Sequence, residues 1–195
     1  MRYQPDHKER TRKHIVSTAA QMFRRDGIVA TGVVGLMKGV GLTQGGFYAH
    51  FDSKEALIRE AAVAAMVETC EGLERIAHAA GSGKPALEAV IKAYLSAAHL
   101  SRVENGCAIA AIGAELGREP AHTRQVVVDA TQRILSLIEK NLPEETHGRR
   151  DVASAVFGLM SGSLQLARLT PDAAEAERTL TAGRSAAFVL SSIGH

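Results

Sequence analysis

The sequence predicts an all-α fold of about nine helices. Apolar residues recur along much of the chain at the spacing of one helix face, as at Ile15, Ala19, Met22 and Phe23. The chain is 46% hydrophobic but only 4% aromatic and has no tryptophan, so small aliphatic side chains must fill the core. Such side chains suit closely packed helices. A length of 195 residues fits one or two small domains.

The first predicted helix spans residues 8–26 and ends at Gly27, a residue common just after helices. Its start carries a cluster of positive charges: Lys8, Arg10, Arg12 and Lys13. Positive charge at a helix N-terminus opposes the helix dipole, which makes more sense if phosphates lie nearby. Residues 1–55 hold nine Lys/Arg against five Asp/Glu, a net charge of +4, whereas residues 56–195 hold fourteen against sixteen. A solvated surface helix would show the same pattern, so a polyanionic partner is only one interpretation.

Two short helices joined by a tight turn are predicted next. Thr31 is a suitable N-cap for a helix over residues 32–39. Gly41 and Leu42 form the turn, and Thr43 caps the following helix. This pattern is typical of a helix-turn-helix unit, whose second helix enters the DNA major groove.

The second helix of this unit has two different surfaces. Phe47 and Phe51 are four residues apart and therefore share an inner face. The other faces carry hydrogen-bonding residues, namely Thr43, Gln44, Tyr48 and His50. Gly45 and Gly46 leave the outer surface low, as a close approach to another molecule would require. A loop with two aromatic anchors is the alternative interpretation of the same residues.

A long fourth helix follows, from Asp52 to about His78. Asp52 and Glu55 have the spacing of a capping box. Lys54 adds positive charge beside free backbone N–H groups, which predicts a phosphate site. We expect this helix to join the N-terminal unit to the rest of the chain.

Five more helices are predicted in the second half of the chain. Pro85 opens the first of them, which carries an apolar stripe to Ala98. The others cover residues 107–116, 120–141, 150–169 and 172–193, the last capped by Asp172. Small residues recur in the final two: Gly158, Ser161, Gly162, Ser163 and Gly183. They permit close helix contact, either within the chain or with a second copy.

From Ile15 to Leu57 the sequence resembles the helix-turn-helix end of the TetR/AcrR family of transcriptional regulators. The resemblance rests on Ala19–Phe23, Gly27, Thr31, Gly41 and the run from Phe47 to Leu57, Phe-Tyr-Ala-His-Phe-Asp-Ser-Lys-Glu-Ala-Leu. It covers about the first sixty residues, while the remainder matches only as a helical domain of the expected length. It implies a DNA-binding domain over residues 1–52 and an effector-binding and dimerisation domain over residues 53–195. It also implies a homodimer, formed through the last two helices, that binds a palindromic double-stranded DNA operator, usually as a repressor released by a small-molecule effector.

The resemblance also implies roles for single residues of the DNA-binding domain. Thr31, Thr43, Tyr48, His50 and Lys54 match positions that contact phosphates. Gln44 and Gly45 match positions that face base edges, and glutamine can bond adenine N6 and N7. Gly46 stands where the family usually has Thr, Ser or Ala, and Ala49 replaces a larger residue. Surface packing is the alternative role for Tyr48 and His50.

An effector site is implied in the helical body. The candidate ligand-binding residues are Met66, Cys70, Tyr94, His99, Cys107, Phe157, Met160 and Gln165. Apolar residues on amphipathic helices more often belong to the core, and buried cysteine is usually inert. Cys107 starts a helix, where backbone N–H groups stabilise a thiolate. Some regulators of the resembled family sense oxidants or electrophiles through a similar Gly-Cys segment, so a thiol sensor that needs an accessible Cys107 is an alternative function.

Enzyme and metal motifs are missing from the sequence. The segment Gly81–Lys84 is no phosphate loop, because His78 and Pro85 occupy positions that require Gly and Ser/Thr. H-E-x-x-H and G-x-S-x-G are absent. The spacing of Cys70, His99, Cys107 and His122 fits no zinc pattern. We therefore expect no enzyme activity, metal or cofactor, with a helical enzyme or a helical interaction module as the alternative classes.

The remaining features predict a cytoplasmic protein with no membrane partner. Two cysteines do not make a disulfide framework and suggest a reducing compartment. The N-terminus lacks the apolar core of a signal peptide. No apolar run has the length of a membrane span.

Overall fold

The computed structural model describes residues 5–192, and in this range the chain forms ten α-helices, one 3-10 turn and no strand. The prediction of an all-α fold is confirmed. The helices are α1 (Pro5–Asp26), α2 (Val33–Gly39), α3 (Gln44–Phe47), α4 (Lys54–Ala80), α5 (Lys84–Tyr94), α6 (Ala97–Ser101), α7 (Ala108–Leu116), α8 (Ala121–Asn141), α9 (Arg149–Leu169) and α10 (Ala173–Ser191). The 3-10 turn, Val103–Asn105, lies between α6 and α7.

The first three helices form the N-terminal helix-turn-helix domain. α1 packs against α2, and α2 packs against α3. Their shared core contains the apolar residues Ile15, Ala19, Phe23, Leu36, Met37, Phe47 and Phe51, all buried. Gly27 ends α1 with φ at 91°, and Gly41 turns the chain after α2 with φ at 71°, a region that favours glycine.

α4 is the helix against which both halves of the molecule pack. It contacts α1 on the N-terminal side and α5, α7 and α8 in the body. A single helix of 27 residues is about 40 Å long at 1.5 Å per residue. It therefore provides a rigid connection between the helix-turn-helix domain and the C-terminal helical domain.

The last two helices pack closely on each other. A Cβ atom built on Gly183 of α10 would lie 2.5 Å from the Ser163 hydroxyl of α9, so only glycine allows this approach. By contrast, no atom lies within 4 Å of a Cβ built on Gly158 or Gly162. The small residues thus divide into a pair used within the chain and a pair on the open surface.

Two predicted helix caps are wrong by one residue. The N-cap of α2 is Gly32 rather than Thr31, and no side chain caps that helix. The N-cap of α4 is Ser53 rather than Asp52, and the Ser53 hydroxyl accepts a hydrogen bond from the Ala56 N–H. In both places, neighbouring residues are each able to cap a helix, so composition alone does not select between them.

The predicted fifth helix is also wrong at its end. α5 stops at Tyr94, and Ser96 caps the separate short helix α6 by accepting a hydrogen bond from the His99 N–H. Pro85 in the first turn of α5 and Asp172 as the cap of α10 are confirmed. Predicted starts and ends for α8, α9 and α10 agree with the structure to within about two residues.

Within the described range, α9 is the one helix long and apolar enough to cross a membrane, judged by length and composition alone. Of its most apolar window, 44% is buried inside the molecule. α9 packs against α7, α8 and α10, and the core helix of a helical body passes the same test. This packing accounts for the buried part of its apolar composition.

Candidate nucleic-acid interface

The third helix is short and is anchored by two aromatic rings. α3 itself contains four residues, and the Phe51 N–H still donates to the Phe47 carbonyl at 3.0 Å, which continues the helical turn. The rings of Phe47 and Phe51 stack with centroids 5.6 Å apart and are buried. The inner face predicted from their spacing is therefore present.

The outer surface of this segment is polar and open. Thr43, Gln44 and Gly45 are exposed, and Tyr48 is 66% exposed. The Tyr48 ring meets Phe47 edge to face with centroids 5.2 Å apart, which limits the directions in which its hydroxyl points. Thr43 occupies the N-cap position of α3, as predicted, but its side chain makes no capping hydrogen bond. Its hydroxyl therefore has no capping partner in α3.

The glycine pair in α3 is not required by packing within the chain. A Cβ built on Gly45 would meet no atom within 4 Å. At Gly46 the nearest atoms would be Met37 Cε and Thr43 Oγ1, both at 3.8 Å, which is ordinary contact. Alanine would therefore fit at both positions and would favour the helix, and the Cβ direction is open space at Gly45 alone.

His50 lies between this surface and the basic start of α1. The residue is half-buried, and its Nδ1 is buried without a hydrogen-bond partner. Burial lowers the pKa of His50, and electrostatic interactions with Lys8, Arg12 and His7 lower it further. The basic first turns of α1 are therefore near α3 and the turn that follows it. Arg12 itself is already engaged by Glu60, at 2.5 and 2.6 Å, and lies 4.3 Å from the centre of the Phe51 ring.

Thr31 and Lys54 have partners inside the protein. Thr31 is buried, and its hydroxyl donates to the Gly27 carbonyl at 2.7 Å. The Lys54 ammonium group is half-buried and donates to the Ile28 carbonyl at 2.8 Å. Both residues brace the loop that joins α1 to α2. Any contact with a phosphate would use the remaining donor protons of Lys54 or a rearranged Thr31 hydroxyl.

Most candidate ligand-binding residues of the body belong to its core. Met66, Cys70, Tyr94, Cys107, Phe157 and Met160 are buried, His99 is half-buried, and Gln165 is exposed. A cavity of about 160 Å³ brings together Tyr94, His99 and Cys107 with Glu68 and Gly106. The cavity thus joins three of the eight candidates, and Tyr94 also packs edge to face on Phe157, a fourth candidate, and is linked to Ser161 through a hydroxyl hydrogen bond of 3.1 Å.

Cys107 does not have the environment of a reactive thiol. It is the N-cap of α7, but its side chain is fully buried and makes no capping hydrogen bond. Burial raises the pKa of the Cys107 thiol, although the Tyr94 hydroxyl and the nearby backbone N–H groups favour the thiolate and act in the opposite direction. The expectation that the helix N-terminus favours a thiolate here is therefore corrected, because desolvation outweighs the helix-end groups.

Two residues that link the helix-turn-helix domain to the body were not predicted from the sequence. Arg24 of α1 is buried and donates to Glu68 at 2.8 Å and to the Gly106 carbonyl at 3.3 Å. Glu115 of α7 accepts a hydrogen bond of 2.9 Å from the Val29 N–H. Arg24 lies four residues after the buried Ala20, a spacing that could have placed it on the inner face. No local pattern indicates Glu115.

Comparisons with known proteins identify the family. Residues 15–61 match the model of bacterial regulatory proteins of the tetR family, and residues 83–182 match the model of the tetracyclin repressor-like C-terminal domain. No curated protein matches the chain.

Solved structures share the fold at low sequence identity. A TetR-family regulator from Agrobacterium tumefaciens has a TM-score of 0.77 at 18% identity, covering 96% of this chain and 100% of that chain. Reduced NemR from E. coli has a TM-score of 0.74 at 18% identity, with coverages of 91% and 94%. FadR from Bacillus subtilis, in complex with stearoyl-CoA, has a TM-score of 0.70 at 19% identity, with coverages of 94% and 98%.

Proposed function

This chain belongs to the TetR family of bacterial regulatory proteins, and we propose that it acts as a homodimeric repressor that binds a palindromic operator and is released by a small molecule. It is a DNA-binding transcription regulator by family. We place its DNA-binding domain at residues 1–52 and its effector-binding and dimerisation domain at residues 53–195. The proposal includes a cytoplasmic location and no enzyme activity.

The observation that carries the proposal is the open polar surface of α3. Gln44 and Gly45 are exposed at its first turn, and Gly45 has free space around it. We infer that Gln44 reads a base edge, while Gly45 and Gly46 let the helix approach the DNA closely. The buried Phe47 and Phe51 hold this short segment in place.

Residues around α3 would contact the DNA phosphates. Thr43 and Tyr48 are exposed donors, and His50 has a lowered pKa in a basic environment that a phosphate would relieve. Thr31 would contribute mainly by holding the loop after α1. Lys54, the first residue of α4, would hold the same loop and present its remaining N–H protons to a phosphate. Such contacts set orientation and affinity rather than sequence preference.

Release by a ligand would work through a shift between two arrangements of the dimer. Dimeric readers of this type need half-sites about 34–36 Å apart or a multiple of that spacing. α4 runs from the DNA-binding domain into the body, so a ligand in the body that favours another tilt of α4 would misplace the two α3 helices. The bound stearoyl-CoA in the FadR structure supports a ligand role for the equivalent body of this chain.

The test is fluorescence anisotropy with the palindrome nearest to the gene, compared with scrambled DNA at several salt concentrations. Gln44→Ala should relax sequence preference, whereas Lys54→Ala should weaken both probes and reduce the salt slope by about one. Val128→Ala, on the exposed surface of α8, is the matched control and should change neither quantity. Failure to bind either probe at low salt would contradict the regulator proposal and favour an enzyme or an interaction module.

A further inference from the structure

An open groove outside the proposed effector site lies at the junction of the helix-turn-helix domain and the body. It has a volume of about 830 Å³ and is lined by α1, α4 and Val126 of α8. It contains none of the candidate effector residues in the body.

The floor of this junction groove is aliphatic. Val16, Val63, Ala64 and Val126 come from three different helices and are each half-buried, so part of their surface remains open to water. An apolar floor that joins several helices is the usual base of a ligand site, because burial of apolar surface drives binding. From Lys8 to Ser17 the groove follows α1 for about 14 Å, at 1.5 Å per residue.

The rim of the groove carries an excess of positive charge. Glu60 is paired with Arg12 at 2.5 Å, and Glu9 is paired with Lys13 at 3.1 Å. These pairs leave Lys8 and Arg59 without an acidic partner among the lining residues. The groove therefore combines a hydrocarbon-compatible floor with a net charge of +2 from four basic and two acidic residues.

We propose that the junction groove binds a single-chain anionic amphiphile, with its tail on Val16, Val63, Ala64 and Val126 and its acidic head group at Lys8 and Arg59. The charge of the rim selects an anion over a cation or a neutral alcohol with the same tail. The occupant touches α1 together with α4 and α8, so it contacts both the DNA-binding domain and the body. This site is separate from the proposed effector site.

The test uses sodium dodecanoate below its micelle concentration, with isothermal titration calorimetry on the full chain in the absence of DNA. Dodecyltrimethylammonium and dodecanol provide the same tail with a positive and with no charge. Dodecanoate should bind about tenfold more tightly than either of them. Equal affinity for the cation, or no binding of dodecanoate, would overturn the proposal, and neither result would bear on operator binding.

Two variants separate the floor from the rim. Ala64→Trp fills the floor and should weaken dodecanoate binding by about tenfold or more, whereas Val128→Trp, exposed on α8 outside the groove, should leave it unchanged. The double variant Lys8→Glu with Arg59→Glu should weaken dodecanoate binding by a similar factor. The control is Arg75→Glu with Lys140→Glu, which lie on another groove and should leave dodecanoate binding unchanged. Unchanged affinity in Ala64→Trp would contradict the proposed position.

Methyl chemical shifts of the unsubstituted protein give an independent measurement that does not depend on the folding of a variant. Dodecanoate should shift the methyl signals of Val16, Val63 and Val126. It should not change the signals of Val34 and Val128, which lie on exposed surfaces elsewhere. Shifts confined to other methyl groups would overturn the assignment. A second copy of the chain could instead cover the groove. If Ala64→Trp changes the molecular mass of the protein and the unsubstituted protein does not bind dodecanoate, the second copy is the occupant and the proposal is overturned.

Discussion

His99 is a neutral hydrogen-bonding link between α5 and α7. Its Nδ1 lies 2.7 Å from the Tyr94 carbonyl, which can only accept, so Nδ1 carries the proton. Its Nε2 accepts from the Cys107 N–H at 3.0 Å. Burial lowers the pKa of His99, and the positive charge of Arg168 lowers it further. Protonation of Nε2 would remove the acceptor that holds the start of α7.

This arrangement predicts a specific loss of stability in mild acid. Because the pKa of His99 is lowered in the folded state, the unfolded chain takes up a proton first as the pH falls. The contribution of His99 is fully present above its ordinary pKa of about 6.5 and is lost as the pH falls below that value. His99→Gln should therefore flatten the dependence of the unfolding free energy on pH between about 7 and 5. Urea unfolding at fixed protein concentration measures this.

A histidine outside this link serves as the control for the acid effect. His78 is exposed near the end of α4, so His78→Gln should keep the pH dependence of the unsubstituted protein. At pH 8, His99→Gln should also lose about 1 kcal/mol of stability, the usual contribution of one hydrogen bond. An unchanged pH slope in His99→Gln would show that other groups cause the acid sensitivity.

The two cysteines should react slowly in the native protein. Both thiols are buried, and burial raises the pKa of Cys107 and raises that of Cys70 to about 11. Since the thiolate is the reactive form, a colorimetric thiol reagent should modify neither residue quickly at neutral pH, but both in denaturant. If one thiol of the native protein reacts rapidly, and this reaction is lost in Cys107→Ser, the prediction is contradicted and the thiol-sensor alternative is supported.

At the scale of the helices, the sequence was most informative where residues cap or interrupt a helix in an unambiguous way. Pro85, Gly27 and Asp172 set helix ends that the structure confirms. The sequence was least informative where an apolar stripe continues past the end of one helix into the next helix. Leu95 and Ala98 keep the helical spacing after Tyr94, yet Ser96 caps a new helix there.

Contacts between distant segments could not be predicted from local patterns. Arg24 and Gly106 are 82 residues apart, and Val29 and Glu115 are 86 residues apart. Each pair joins a polar side chain to a backbone group, which leaves no periodic signal in either segment. Of the candidate DNA-contacting residues, the exposed ones on α3 followed from helical spacing, whereas the inward bonds of Thr31 and Lys54 did not.

The segment before α7 requires glycine at position 106. A Cβ there would lie 2.9 Å from His99 Nε2 and 3.1 Å from the Arg102 carbonyl, which belongs to the backbone. Gly106→Ala should therefore displace the carbonyl that Arg24 uses and should lower the unfolding free energy by about 1–3 kcal/mol. Urea unfolding measures the change, and we expect operator affinity to fall with it.

The matched control is a second glycine in the same region. A Cβ on Gly113 of α7 would meet only Ile109 Cγ2, at 3.5 Å. Because alanine is the better helix former, Gly113→Ala should be neutral or should stabilise the protein by up to about 1 kcal/mol. A similar loss in both variants would indicate a general intolerance of α7 rather than the contact of Gly106 with His99.

At the scale of the whole molecule, α9 and α10 present an exposed apolar face in the described range of the chain. Leu166 and Leu169 are 60% and 79% exposed, and Val189 is 65% exposed. Exposed small residues continue this face along both helices: Ala155, Gly158, Ala182, Ser185 and Ala186. Large exposed apolar residues beside small ones are what a close helix interface between two copies requires.

We expect this face to form the dimer, and the glycines on it provide a test that spares the fold of the single chain. No atom lies within 4 Å of a Cβ on Gly158 or Gly162, so Gly158→Arg with Gly162→Arg should fold normally. Two large charges at the centre of the interface should raise the dimer dissociation constant by about a hundredfold or more. Sedimentation velocity measures this, with Val128→Arg on α8 as the control.

The same variant connects assembly to DNA binding. A monomer presents one α3, so it loses the second half-site contact and with it most of the affinity for a palindrome. The variant with Gly158→Arg and Gly162→Arg should therefore bind the full palindrome no better than a single half-site, although its helix-turn-helix domain is unchanged. If it remains a dimer, the interface lies elsewhere. If it becomes a monomer but keeps full affinity, the palindrome is not read by two linked copies.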